Sequence, residues 1–295
     1  MQKIALIGLG AMGGGMARRM LAQKLPLSVY NRRAEIAAPF TKEGARVATS
    51  PADAAKDAEV VISMVADDHA SRSIWLGENG ALAAMSSGTI LIECSTLSPA
   101  WVKELAASAA TKQCDMLDAP VTGSRSHAGA GELLFLVGGE KEILERVRPV
   151  LTSMGRSIVH MGPLGSGTLM KLINNFLNGV QAAAFAEALA LVERLGLEIE
   201  KALDVITNGA PGSPLVKMLA SRMAKRDYQT NFFLRLMEKD LAYATSLSDE
   251  GGVHLRTAQA ALELFRLASQ SGWGDKDFAS VIEPIRARAL SKPAK

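Results

Sequence analysis

Lys3-Ile-Ala-Leu-Ile-Gly8-Leu-Gly10-Ala-Met-Gly13 decides how the rest of the chain is read. An apolar run of strand length meets three glycines and then a helix-like stretch over 12–23. In that order Gly8 permits a tight turn, Gly10 lets the backbone come close to a phosphate, and Gly13 lets the helix pack on the strand. The helix start offers unpaired N–H groups and the positive end of its dipole. The spacing predicts a dinucleotide site in which Gly8, Leu9, Gly10, Ala11, Met12 and Gly13 wrap a pyrophosphate. The plainer alternative is a glycine turn in an ordinary α/β protein.

A second apolar run ends Val29-Tyr30-Asn31-Arg32-Arg33. About 20 residues past the glycines, an NAD site carries an Asp or Glu that accepts from the ribose 2′-OH. Here that position holds Asn31, and two arginines follow. A carboxylate would repel a 2′-phosphate, whereas a guanidinium grips it with paired, charge-assisted hydrogen bonds. Asn31, Arg32 and Arg33 therefore predict NADP as the preferred cofactor over NAD. The alternative is that the two arginines are a solvated loop pair.

Outward from these two segments, residues 1–162 alternate short apolar runs with helical stretches. Strands are expected at 3–7, 27–30, 60–64, 89–93, 116–119, 133–137 and 157–160, with helices such as 51–56 and 99–110 between them. That alternation is the mark of an α/β fold, a Rossmann-type doubly wound parallel sheet. Residues 163–295 show no convincing strand and predict an all-α domain. The proline-free stretch 167–195 predicts one long interdomain helix of about 40 Å. Its middle, Gln181-Ala-Ala-Ala-Phe185-Ala, suits close helix approach.

Composition narrows the function classes. With 295 residues, 48% hydrophobic and 21% charged, the chain is long enough for two cores and is not of disordered type. A net charge of +3 without a basic run gives no support to nucleic-acid binding. Cys94 and Cys114 sit in apolar segments without metal-ligand spacing, so reduced core thiols, no metal site and a cytoplasmic setting are expected. The first motif starts at residue 3, so no secretory signal is expected. The longest apolar candidate, 176–195, carries Asn178, Gln181, Glu187, Glu193 and Arg194, which argues against a membrane span.

Three further segments could do chemistry. In Gly165-Ser-Gly167-Thr-Leu-Met-Lys171-Leu-Ile-Asn174-Asn175, Lys171 and Asn175 are four apart and share a helix face, with Asn178 beside them. Desolvation by Met170, Leu172 and Ile173 would lower the amine's pKa toward catalytic range. The alternative is a lysine that snorkels to the surface. In Asp118-Ala-Pro-Val-Thr122-Gly123-Ser124-Arg125, the hydroxyls and backbone N–H groups follow a predicted strand end, where open parallel sheets bind ligands. A plain strand-to-loop turn explains that composition equally well. In Phe232-Phe-Leu-Arg-Leu-Met-Glu-Lys239-Asp240-Leu241, residues 238–240 read on their own are a solvated helix face.

In this order and spacing, the segments resemble the β-hydroxyacid dehydrogenase family, which includes 3-hydroxyisobutyrate dehydrogenase, tartronate semialdehyde reductase and the glyoxylate/succinic semialdehyde reductases. The likeness spans essentially the whole chain, down to Gly272-x-Gly274-Asp275-x-Asp277-Phe278. It implies a small carboxylate substrate and a homodimer or homotetramer. Lys171 would relay the substrate proton, as acid in reduction and base in oxidation, and Asn175 would orient Lys171 or the substrate. Thr122, Gly123 and Ser124 would hold the substrate, with Asn174 and Lys239 as secondary contacts. Val65 and Ala66 match the loop beside the adenosine half, and Ser95 and Thr96 border the nicotinamide ribose. Phe232 matches an aromatic by the nicotinamide, and Lys239 belongs to a late cofactor and substrate motif.

Two departures stand out. Thr122 stands where most members have Ser, which keeps the hydroxyl and adds a methyl to the pocket, and Ser124-Arg125 stands where many have a second glycine. The Gly-Ser-basic pattern, together with Asn31-Arg32, resembles the NADPH-dependent glyoxylate and succinic semialdehyde reductases more than NAD-dependent 3-hydroxyisobutyrate dehydrogenase. The expected activity is NADPH-dependent reduction of small aldehyde acids. The alternative is an NAD-dependent 3-hydroxyisobutyrate or tartronate semialdehyde type of dehydrogenase, and a remote one is a non-catalytic dinucleotide-binding protein. Lys171 argues against imine reductases, which generally lack it.

Overall fold

Strand β1 (Ile4–Ile7) is buried at every residue, as are β4 (Val60–Ser63) and β5 (Ile90–Glu93). Unbroken apolar runs of this kind belong to parallel strands covered on both faces. The computed structural model, which describes residues 2–290, places them in one nine-stranded sheet. Its other strands are β2 (Leu27–Tyr30), β3 (Arg46–Val47), β6 (Asp115–Asp118), β7 (Val121–Thr122), β8 (Leu133–Gly138) and β9 (Gly155–Gly162). The order is β3-β2-β1-β4-β5-β6-β8-β7, with β9 paired to β8. The chain winds outward from β1 in one direction through β2 and in the other through β4, so a topological switch point lies at β1. Alternate residues feed opposite cores: Ile4 and Leu6 pack with Met16, Met20 and Ile62, while Ala5 and Ile7 pack with Trp75, Leu91 and Trp101.

The sheet is not parallel throughout. β8 runs antiparallel to β6 and β7, and parallel to β9. Two two-residue strands, β3 and β7, are too short to leave a period in the sequence. β7 forms because Val121 and Thr122 pair with Phe135 and Leu134 across the short helix Arg125–Ala130. Several helices begin where a side chain accepts from the first turn: Asp67 from Ala70, and Ser50 and Ser98, each followed by proline, from Asp53 and Trp101.

The chain divides into two compact units, Met1–Lys171 and Leu172–Lys295. The opening turn of the helix Ser166–Arg194, bonded to a side chain of β6, falls in the first of them. In the second unit the helical core gathers Ala182, Phe185 and Leu189 from that helix with Leu219, Met223, Leu241, Phe265 and Phe278. A Cβ on Gly179 would lie 2.8 Å from Leu241 Cδ2, so this glycine admits the helix Leu234–Gly251 at close range.

One buried cation ties the second unit together. Arg286 donates to both carboxylate oxygens of Glu193, to Glu283 at 2.6 Å, to the Tyr228 hydroxyl at 3.2 Å and to the Met223 carbonyl at 3.1 Å. Its two carboxylates hold its pKa above the ordinary arginine value against the opposing effect of burial. Removing one partner of a buried ion network leaves the others uncompensated. Arg286→Met is therefore expected to lower the unfolding free energy by about 3–5 kcal/mol, measured by urea unfolding; a loss near zero would show that solvent replaces the pairing.

Candidate active site

The β1 turn is built by steric exclusion. Gly8 has φ +99°, and a Cβ there would run into the Met64 carbonyl oxygen. A Cβ on Gly13 would run into the Gly8 carbonyl oxygen, so the helix Gly13–Ala22 rests directly on the strand end. Gly10 differs, because a Cβ on it would meet nothing within 4 Å. The protein itself does not need a glycine at that exposed position, but a phosphate brought against the backbone would. The helix start carries no capping side chain and no acid in its first turn, which leaves its N–H groups to an anion. These residues fit a pyrophosphate, with Leu9 buried beneath, Ala11 exposed and Met12 half-buried.

Asn31 does two jobs at the end of β2. Its Oδ1 accepts from Leu9 N–H at 3.0 Å and its Nδ2 donates to the Arg33 carbonyl at 3.0 Å. The carboxamide thus braces the glycine turn against the loop that follows. An aspartate could accept from Leu9 but could not donate to Arg33. Arg32 and Arg33 are exposed, and no hydrogen bond or ion pair among the described residues engages their guanidiniums.

The loops after β4 and β5 are locked from behind. Val65 N–H donates to Ser95 Oγ at 2.8 Å, and Ser95 N–H donates to Glu93 Oε1 at 2.9 Å. Glu93 is buried, and its other oxygen accepts from Ser71 Oγ at 2.7 Å and Trp75 Nε1 at 2.9 Å. Ser95 is accordingly buried with its hydroxyl engaged, while Val65 and Thr96 are half-buried and Ala66 is exposed. Burial, followed by a neighbouring carboxylate, pushes both Cys94 and Cys114 thiols up, so neither is a ready nucleophile.

The β6 end carries a feature that its sequence conceals. Asp118 is fully buried, and its carboxylate accepts from Gly165 N–H at 2.7 Å and Thr168 N–H at 2.6 Å. It caps the helix Ser166–Arg194, on which Lys171 follows Thr168 within one turn. Burial pushes its carboxyl above the usual range, and the two backbone donors pull it back. After it come half-buried Thr122 and then Gly123, whose φ of +135° requires glycine. Ser124 is committed elsewhere. Its hydroxyl lies 2.7 Å from His127 Nδ1 and from Ser126 Oγ, starting the helix Arg125–Ala130. Arg125 is exposed.

Lys171 is half-buried, followed by buried Leu172 and exposed Ile173. One turn on, Asn175 is buried and its Nδ2 donates to Asp240 Oδ2 at 2.6 Å; its Oδ1 accepts from Asn174 at 3.2 Å. Asp240 Oδ1 lies 2.9 Å from Lys239 Nζ, which also sits 4.8 Å from the centre of the Tyr243 ring. Asp240 is only 1% exposed, so 238–240 is not the solvated face that its sequence suggests. The late motif is explained by Asp277, which is buried and accepts from Asn231 N–H at 2.9 Å, Phe232 N–H at 3.1 Å and Ala279 N–H at 3.2 Å. It fixes the backbone of Phe232, whose ring meets Phe278 edge-on, just before the helix that carries Lys239. Asp118, Asp240 and Asp277 were not legible as partners, since an isolated Asp gives no signal of burial.

Comparison with known proteins identifies the family. Residues 3–162 match the NAD binding domain of 6-phosphogluconate dehydrogenase, and residues 165–285 match the NAD-binding domain of NADP-dependent 3-hydroxyisobutyrate dehydrogenase. The chain is 36% identical to the NAD-dependent L-serine dehydrogenase of Pseudomonas aeruginosa, covering 95% of this chain and 97% of that one. It is 32% identical to glyoxylate/succinic semialdehyde reductase 2 of Arabidopsis thaliana, over 96% and 79% of the two chains. Among solved structures, 3-hydroxyisobutyrate dehydrogenase of Mycobacterium tuberculosis with L-serine superposes with a TM-score of 0.88 at 31% identity, over 97% and 99%. The chain belongs to the β-hydroxyacid dehydrogenase family and is an oxidoreductase that uses NADP or NAD.

Proposed function

We propose that this enzyme reduces small aldehyde acids, glyoxylate or succinic semialdehyde, to the corresponding hydroxy acids with NADPH. The observation that carries the cofactor choice is Asn31. Its amide is consumed in bracing the glycine turn, no carboxylate stands at the β2 end, and exposed Arg32 and Arg33 follow. A 2′-phosphate is accepted there by guanidinium rather than repelled by an acid.

Bound NADPH supplies the hydride. The chain's own residues supply the rest. The Thr122 hydroxyl and Gly123 N–H hold the substrate carboxylate at the end of β7. Lys171, as an ammonium, donates a proton to the oxygen that becomes negative as the carbonyl is reduced, and in the oxidising direction the neutral amine takes it back. Asn175, its amide fixed by Asp240, keeps the next turn of the helix in one orientation. The hydrogen bond from Val65 N–H to Ser95 ties the β4 and β5 loops together beside the cofactor.

A second reading keeps these residues and changes substrate and cofactor: NAD-linked oxidation of a β-hydroxyacid such as 3-hydroxyisobutyrate or L-serine. It is supported by the Pseudomonas relative named for L-serine and by the Mycobacterium structure that contains it. Initial rates with NADPH and NADH on glyoxylate, succinic semialdehyde, tartronate semialdehyde and methylmalonate semialdehyde separate the two. NADPH preference with either of the first two is expected; NADH turnover on methylmalonate semialdehyde would favour the second.

Lys171→Ala is expected to lower kcat by at least about 10²-fold, the lower range for loss of a positioned acid, with the NADPH Kd within about twofold by fluorescence titration. Near-normal turnover would remove Lys171 from the chemistry. Arg32→Ala is expected to weaken NADPH binding by about 1.5–3 kcal/mol, the range for a hydrogen bond to a charged group, and to leave NADH binding unchanged. Equal losses for both cofactors would show that Arg32 does not read the 2′-phosphate. Gly10→Val should leave the thermal midpoint near that of the parent, since its side chain meets no protein atom at Cβ, while abolishing tight binding of both cofactors.

A further inference from the structure

We infer that Asp118 is a positioning residue for proton transfer, setting the register of the helix that carries Lys171 against the loop that carries Thr122. This rests on the reading of Lys171 as proton donor. Three independent features of the first unit carry it.

The first is the double engagement of one carboxylate. Gly165 and Thr168 are the residues through which the loop becomes a helix, and both donate their N–H to Asp118. The Thr168 hydroxyl also stabilises the same charge. Among the described residues Asp118 makes no ion pair, so its charge is met by the backbone N–H groups of Gly165 and Thr168 and by the Thr168 side chain. The second is the sequence of the loop, Gly162-Pro-Leu-Gly165-Ser-Gly167, with φ of +129° at Gly162 and +93° at Gly165. Three glycines in six residues leave such a segment many conformations, and a side-chain anchor is what selects one.

The third is the close packing around the anchor. A Cβ on Gly138 would collide with Asp118 Oδ1 and would lie 2.9 Å from both Pro163 O and Ser166 N. A Cβ on Gly167 would collide with the Leu136 carbonyl and lie 2.9 Å from the Asp118 carbonyl. The helix start is thus seated directly on β6 and β8 with no room for an intervening side chain. Asp118 is four residues from Thr122 along the same backbone, and Lys171 is three residues beyond Thr168. A single carboxylate therefore joins the substrate loop to the turn bearing the amine, and a proton donor misplaced by about 1 Å can lose about 10²-fold in rate.

Asp118→Asn keeps the shape but presents an amide N–H to one of two N–H donors. Its expected effect is a 10- to 100-fold loss of kcat, with KM for substrate and Kd for NADPH changed less than threefold. Thr168→Val, which keeps both backbone donors, is expected to lower kcat three- to tenfold with the fold intact; it carries the test if Asp118→Asn does not fold. Each change is then combined with Lys171→Ala. A residue that acts through Lys171 leaves the residual rate of Lys171→Ala unchanged, whereas a general structural role lowers that rate by the same factor again. Full kcat in both single variants, or additive losses in the double variants, would overturn the positioning role. Full turnover in Lys171→Ala alone would instead overturn the reading of Lys171, whatever Asp118 does.

Discussion

Strands β1, β2, β4, β5 and β6 end level, because Ile7 pairs with Tyr30 and Ser63, Ser63 with Glu93, and Glu93 with Asp118. Almost everything of consequence in the first unit leaves the sheet at those five ends: the glycine turn, Asn31 and its arginines, the Val65 loop, the Ser95 loop and the Thr122 loop. Parallel pairing with both faces buried fixes this register tightly, since a slip of one residue would turn every core side chain of a strand to the other face. Loops anchored to such ends vary in sequence without moving their roots. That is the physical reason why strand ends of open α/β sheets serve as binding edges.

Level ends also create a problem that the chain solves with buried acids. Strand ends expose backbone donors that are partly removed from water, and an unmet buried donor costs about 1–3 kcal/mol. Glu93 takes the Ser95 N–H together with Ser71 and Trp75. Asp118 takes Gly165 and Thr168. Asp277 does the same in the second unit for Asn231, Phe232 and Ala279, backed by Arg222 at 3.4 Å. In each case a carboxylate buried next to a functional segment accepts main-chain N–H groups. None of the three is placed to touch substrate in the proposed chemistry. Glu93 and Asp118 make no ion pair among the described residues; burial of an unpaired acid is unfavourable, so their occurrence beside these segments signals positional demand.

What was legible in the sequence follows the range of the interaction concerned. Gly8 and Gly13 could be read because their constraint is local: a positive φ at one, and contact with a residue five positions earlier at the other. Asn31 could be read as a missing acid, but its bond to Leu9 spans 22 positions and was not visible. The long helix was legible to within a residue or two at each end, its length reflecting an absence of proline over 29 residues. The reversal of β8 and the pairing of β7 were not, because direction and partner are set by tertiary contacts and a two-residue strand has no period. Ser124 offered a hydroxyl to the substrate on paper, yet local geometry spends it on His127. Asp240 read as solvent-facing by spacing on its own helix, and only the approach of Asn175 from another helix makes it a buried acceptor.

The placement of Lys171 brings these threads together. A long flexible amine is a poor choice for precise proton transfer unless its backbone is immobile, because it must order several rotatable bonds on its own. This chain puts it on a 29-residue helix rather than on a loop. Three residues before it the helix is fastened by Asp118, and four residues after it by Asp240 through Asn175. Each fastening is a charge-assisted hydrogen bond at 2.6 Å, stronger and shorter than a neutral one. Most of the ordering of the backbone is thus done before any ligand arrives, and substrate binding has only the side chain left to order. In the proposed chemistry the aspartates flanking the lysine need not exchange protons with anything; they hold still the segment assigned that task.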